Sequence, residues 1–416
     1  MSEPIKYNNA VELFNAGRFK DAYCIWREMT DDKNAMFYAA RLLIDHDDIV
    51  TEKRWGTAFA LFKRASSLGN HEATYYCGYI REKVYGEKFY DEANSYYHDA
   101  FVNEIPDAFE GIKRLAEKGV FLSQSCLGWY YRIGGHGVKE NMSEAKKWSI
   151  LANENGEKYK ASENLGYIYK NEGDFEKALF YFKEAAANGN DNVFGQLGDI
   201  YRLGKVQKSN YSEAIKWYNM GAKAGDDDSR FFLGLMHLKG MGCKKNHEEA
   251  IKYFDMVVKS GNTERMCDIA CEYYDCSNII YDPRHAINLF EMSASKGHKR
   301  SSAFLGVLLY RGENIVQDYN RAFSLLSIGK DNSLAQEYLG LCYYFGNGCK
   351  KDEAIAKQYF IRSFENGNKS ASKYLTNDMD LKPYSKWELE KDGAEMLGSA
   401  FSSIIGAILT GLSNND

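Results

Sequence analysis

LGLMHLKGMGCKKNHEEAIKYFDMVVKSGN, residues 233–262, decides the fold. Its second half places Ala250, Tyr253, Phe254 and Val257 at i, i+3, i+4 and i+7, the stripe of an amphipathic helix. Gly261 follows the last turn of that stripe, where a left-handed residue commonly ends a helix. The first half opens with Leu233-Gly234, whose glycine lets a second helix approach closely. The segment therefore reads as two short helices, A and B. Neither buries its stripe alone, so such units must stack.

The same frame recurs along the chain. Alanine, a large apolar residue three positions on and glycine eleven positions on occur at Ala58/Leu61/Gly69, Ala145/Trp148/Gly156 and Ala178/Tyr181/Gly189. They recur at Ala214/Trp217/Gly225, Ala250/Tyr253/Gly261, Ala286/Leu289/Gly297 and Ala356/Tyr359/Gly367. Two copies are imperfect: Ala108 has Gly111 at the large position, and Ala322 has Ser333 where glycine belongs. From Ala178 to Ala322 the spacing is 36 residues four times over. Leu-Gly precedes most copies (127–128, 165–166, 197–198, 233–234, 305–306 and 339–340), and Ala270 takes the glycine's place once. Tyrosine often stands three positions after this anchor, at Tyr131, Tyr169, Tyr201, Tyr273 and Tyr343.

With these residues in register, 233–262 and 339–368 resemble the Sel-1-like repeat, a relative of the tetratricopeptide repeat; 165–190, with its shorter loop, is similar to the tetratricopeptide repeat itself. The resemblance implies an all-α, right-handed α-solenoid of stacked helix pairs and a role in protein–protein scaffolding. It covers about residues 35–375, an array of about nine repeats. Residues 1–34 read as capping helices, because Lys33 stands where the unit of Ala22 and Trp26 needs glycine. An insertion near 86–106, with an additional helix before Pro106, stretches the unit between Gly78 and Ala108. Residues 376–393 read as a polar linker and 394–416 as an apolar C-terminal helix.

Composition agrees. Among 416 residues, 44% are hydrophobic and 27% charged, which excludes disorder, collagen and a multi-span membrane protein. Four prolines suit a helical chain, and 31 tyrosines with 23 phenylalanines imply a large packed interior. The net charge of −5 is spread thinly, without a basic stripe, so no nucleic-acid partner is expected. Nine irregularly spaced cysteines and a polar start, MSEPIKYNNAVELF, point to a reducing, cytoplasmic setting.

No catalytic motif stands in a suitable context, and no enzyme activity, cofactor or metal is expected. Cys267, Cys271, Cys276 and His285 lack the tight pairs of a zinc site. Cys243 and Cys349, each seven residues before a repeat alanine, are expected to be small buried hydrophobes. His237 takes the tyrosine position after Gly234 and reads as a packed aromatic. The loop Gly134-Gly135-His136-Gly137 matches the other repeat loops rather than a phosphate cradle.

The resemblance implies that helix A lines the concave side, where a protein or peptide partner binds. Positions one and four after the anchor glycine vary in character and supply Trp129, Arg132, Lys170, Asp199, Arg202, Tyr310 and Tyr344. Trp and Arg are frequent anchors at interfaces. The alternative for the aromatics is packing against the next helix.

The C-terminal segment stands apart. Leu397, Phe401, Ile404, Ile405, Ile408 and Leu412 form a bulky helical stripe in an uncharged stretch, 396–414. Gly398, Ser402, Gly406 and Thr410 form a small one, a pattern of close-packed membrane helices. Two covers stay open for it: the array, its own or a second copy's, which the reading favours, or a bilayer, which would make the chain a membrane-associated effector or toxin-associated protein.

Overall fold

The computed structural model describes residues 3–49 and 53–375. The chain divides into two compact units, one up to Val193 and one from Phe194. Unit 1 holds α1 (Glu3–Asn15), α2 (Phe19–Trp26), α3 (Lys33–Asp45), α4 (Arg54–Ser67), α5 (His71–Ile80), α6 (Tyr90–Val102) and α7 (Asp107–Glu117). It continues with α8 (Phe121–Ile133), α9 (Met142–Glu154), α10 (Lys160–Asn171) and α11 (Phe175–Ala187). Unit 2 holds α12 (Phe194–Leu203), α13 (Tyr211–Ala224), α14 (Asp227–Lys239), α15 (His247–Ser260) and α16 (Thr263–Tyr274). There follow α17 (Pro283–Ser295), α18 (Lys299–Arg311), α19 (Tyr319–Ile328), α20 (Ser333–Phe345) and α21 (Glu353–Glu365). All regular structure among the described residues is helical, and the helices pack as A/B pairs, as in a Sel-1-like solenoid.

Each pair is built by the same three contacts. The repeat alanines, Ala214 and Ala250 among them, are completely buried. The anchor glycine lies against the ring four residues after the alanine: a Cβ on Gly166 would sit 2.5 Å from Phe182, on Gly198 2.4 Å from Tyr218, and on Gly234 2.4 Å from Phe254. No side chain fits there without moving an aromatic ring, which is why the position is small. The ring three residues after the anchor stacks on the ring three after the alanine: Tyr169 on Tyr181 (5.5 Å), His237 on Tyr253 (5.8 Å) and Tyr343 on Tyr359 (5.7 Å). His237 thus behaves as the packed aromatic its position suggests.

A fourth device escaped the sequence reading. Asn or Asp stands four residues before most repeat alanines, and its side chain caps helix B: Asn141, Asp174, Asn210, Asn246, Asp282, Asp318 and Asp352. The backbone N–H of the same residue donates to a carbonyl near the end of helix A, as in Asn246 to His237 (2.9 Å) and Asp352 to Tyr343 (2.8 Å). This bond closes the A–B loop whatever the loop's length. The spacing was legible as an N-cap signal.

Two expectations need correction. Helix α6 is the B partner of α5 rather than an addition: Ala93 and Tyr97 occupy the alanine and ring positions, and a Cβ on Gly78 would meet Tyr97 at 2.9 Å. The residue eleven after Ala93 is Glu104, and it adopts the left-handed φ of +67° that glycine supplies elsewhere. The supernumerary helix is α7, wedged between α6 and α8. Secondly, Cys243 and Cys349 are half-buried, because they lie in A–B loops outside the helix pair. The fully buried thiols are Cys77, Cys267, Cys271 and Cys342, on A helices.

Candidate functional site: the A-helix face

In unit 1 the A helices keep one lane half-open. On α8 it carries Cys126, Trp129 and Arg132; on α10 it carries Glu163, Tyr167 and Lys170. The two helices pack on each other. The Arg132 guanidinium lies 4.8 Å from the Tyr167 ring centre, and its Nε donates to Asn164 Oδ1 at 3.1 Å. Burial pulls the Arg132 pKa down, although Tyr167 and Glu163 oppose the shift. Trp129 packs edge-on to Tyr130, 5.0 Å between ring centres, and keeps part of its indole accessible. Lys170 is half-buried on the same lane. The sequence-nominated Trp129, Arg132 and Lys170 thus fall on one face, with Tyr167 added by the structure. Tyr167 follows an anchor glycine just as Trp129 does, so its signal was present.

In unit 2 the nominated residues are more enclosed. The Arg202 guanidinium is buried on α12, bonded to Asp199 Oδ1 (2.8 Å) and Tyr218 Oη (2.9 Å), with the Phe232 ring 4.2 Å away. Tyr218 in turn donates to Asp199 at 2.7 Å. Tyr310 is buried between the Tyr319 and Tyr338 rings, and Asn347 donates to its hydroxyl at 3.1 Å. Tyr344 is half-buried beside Phe345 and Lys351.

Two buried ionic networks stiffen these faces. In unit 1 the Glu82 carboxylate is sealed and receives Tyr97 (2.7 Å), Arg114 (3.0 Å) and Lys118 (2.9 Å). Burial pushes its pKa up, but these hydrogen bonds and Lys83 outweigh burial and bring it to about 2. In unit 2 Asp268 is sealed between Arg265 (2.8 Å) and Arg300. There burial wins over both arginines and lifts the carboxyl to about 6. Glu264 joins this network through His298 (2.7 Å) and Arg300 (3.0 Å). Among the described residues no group of three or more His, Cys, Asp or Glu gathers as a metal site.

The paired helices, the glycine–ring contact and the stacked rings recur in the segments that match the Sel1 repeat model: 56–70, 123–157, 160–190, 196–226, 227–262, 266–298, 300–332 and 333–368. The chain belongs to the Sel1 repeat family. These segments make up more than half of it, and the gap after residue 70 coincides with α5–α7, where Glu104 replaces the helix-ending glycine. A sel1-like repeat-containing protein of Acanthamoeba polyphaga mimivirus is 32% identical over 102 residues, 24% of this chain. The match spans 18% of that relative's length. The crystal structure of a Sel1 repeat protein from Oxalobacter formigenes superposes with a TM-score of 0.52 at 21% identity, over 76% of this chain and 88% of that one. That of a protective antigen of uropathogenic Escherichia coli with the same repeat fold gives 0.45 at 20% identity, over 92% and 95%. Repeat solenoids of this kind mediate protein interactions, and the Sel1 fold is generally non-catalytic. The apolar stripe Leu397–Leu412 lies outside the described residues. Among the described ones no helix is long and apolar enough to cross a membrane.

Proposed function

We propose that this chain is a non-enzymatic scaffold or adaptor that holds a protein or peptide segment along the A-helix face. Trp129, Arg132, Tyr167 and Lys170 serve as anchors. The observation that supports this reading is the Arg132 guanidinium stacked on Tyr167 in a half-open lane. Burial has already removed part of its water, so an arriving carboxylate gains a strong charge-assisted bond at small further cost. Trp129 and Tyr167 offer apolar faces on rigid helices, the character of interface hot spots. The favoured segment therefore combines an acidic residue with an aromatic or large aliphatic one.

The test is selection from a displayed peptide library on the intact chain, followed by titration. Selected peptides should pair an acidic with an aromatic or aliphatic residue. Trp129→Ala and Arg132→Glu should each weaken binding at least tenfold at unchanged Tm. Binding that ignores both substitutions refutes the reading.

A further inference from the structure

The A helices of unit 2 are buried on a side that unit 1 leaves open. A stacked A helix such as α14 meets its own B helix α15, the preceding B helix α13, and its A neighbours α12 and α16. Unit 1 shows what that leaves over: the half-open lane of Trp129, Arg132, Tyr167 and Lys170. In unit 2 the corresponding positions are Leu235, Leu238, Cys271, Tyr274, Val307, Tyr310 and Leu341, and every one is buried. Residues 266–274 of α16 and 301–311 of α18 are buried without a break. A helix buried all round has neighbours all round. The lane is also apolar where that of unit 1 is cationic and aromatic, so it is built for an apolar cover.

The same chain carries such a cover. Residues 396–414 are uncharged, and Leu397, Phe401, Ile404, Ile405, Ile408 and Leu412 share one helical face. The described residues end at Leu375, just after the 3₁₀ turn whose Tyr374 stacks on Phe360 of α21 (4.4 Å). The twenty residues from 376 to 395 reach up to about 66 Å when extended. Packed helices lie about 8–10 Å apart, so α14 to α20 spans roughly 30 Å. A helix over 396–412 is about 25 Å long and crosses most of that lane.

We propose that residues 396–412 lie as a helix along the A-helix lane of unit 2, over Leu235, Leu238, Val307, Tyr310 and Leu341. Part of the peptide-binding face is then filled by the chain's own segment, and the half-open lane of unit 1 is left for partners. This rests on the reading of the A-helix face as a peptide-binding surface, but its test needs no partner.

The full-length chain is prepared with photoreactive benzoylphenylalanine at position 401, as an equal mixture of isotopically light and heavy copies. Irradiation should join residue 401 to peptides of α14, α16 or α18 within one copy. Light–heavy crosslinks assign the cover to a second copy and overturn the proposal. Crosslinks to lipid in phosphatidylcholine–phosphatidylglycerol vesicles, or none to α14–α20, overturn it too. A second measurement uses native thiols. Cys271 lies on the lane and Cys342 off it, both buried. In the full-length chain carrying Ile404→Asp and Ile408→Asp, alkylation of Cys271 should accelerate at least tenfold while Cys342 stays slow. An unchanged Cys271, or the two thiols rising in step, contradicts the proposal. Failure of these measurements leaves the peptide selection on Trp129 and Arg132 unaffected, so the two readings fall separately.

Discussion

Units 1 and 2 repeat the same helix pair and use its A-helix face differently. In unit 2 the period is 36 residues, the lane is Leu, Val, Tyr and Cys, and it is sealed from α14 to α18. In unit 1 the spacing wanders, α7 is interpolated, and the lane carries Trp129, Arg132, Tyr167 and Lys170 half-open to solvent. The contacts that define the repeat are shared, since Gly166 meets Phe182 as Gly234 meets Phe254. The fold is thus carried by a few small and aromatic residues between A and B. The lane is free to differ, and there the units divide into a surface that is covered and one that is available.

The largest effect that sharpens this comparison is expected at Glu82. Removing one member of a sealed ionic cluster strands its partners, so Glu82→Ala should cost unit 1 about 3–5 kcal/mol. Chemical unfolding followed by hydrogen exchange will show the loss in α5–α8 and spare unit 2. Uniform loss through both units would deny that they are separately stabilised. A similar test in unit 2 is Gly234→Ala, whose Cβ would stand 2.4 Å from the Phe254 ring. Overpacking of this kind typically costs about 1–3 kcal/mol. Ala270 already replaces the anchor glycine on α16, so Ala270→Gly should cost less; equal effects would mean that the glycine–ring contact is not the constraint.

Acid should separate the units by sign. Glu82 has a folded pKa of about 2, below its ordinary value of 4.5. It binds fewer protons folded than unfolded in that window, so its stabilisation is complete above about 4.5 and is lost as pH falls toward 2. Asp268 has a folded pKa of about 6, above its ordinary 3.8. Its contribution is fully present below 3.8 and is lost as pH rises through 6. Unfolding monitored by exchange at pH 3 and pH 7 should show unit 1 weakened by acid, and Glu82→Gln should flatten that slope. The smallest effect is expected at Arg132. Arg132→Ala should change stability by less than about 1 kcal/mol while abolishing peptide capture. A large loss of stability would make Arg132 a packing residue rather than an anchor.

The fold was legible because its signals are stereochemical. Ala250 is small since two helices cross there, Gly234 since a ring fills the space of its side chain, and Gly261 since the chain turns left-handed. Where one signal was replaced, the reading slipped: Glu104 adopts the same φ without being glycine, so the B helix before it was taken for an insertion. Loop cysteines misled because equivalence of position was read as burial. The lane was only partly legible. Polar and aromatic members such as Trp129 and Arg132 stand out against the repeat, whereas Leu235, Val307 and Leu341 look like any core residue. Periodicity tells which side of a helix a residue is on, but not whether a later segment returns to cover it.

The most direct test of the difference between the units is hydroxyl-radical footprinting of the full-length chain at neutral pH. Aromatic side chains report in place, without substitution. The account predicts ready oxidation of Trp129 and Tyr167, and protection of Tyr274 and Tyr310. Equal modification of all four would contradict the claim that one A-helix lane is open and the other sealed.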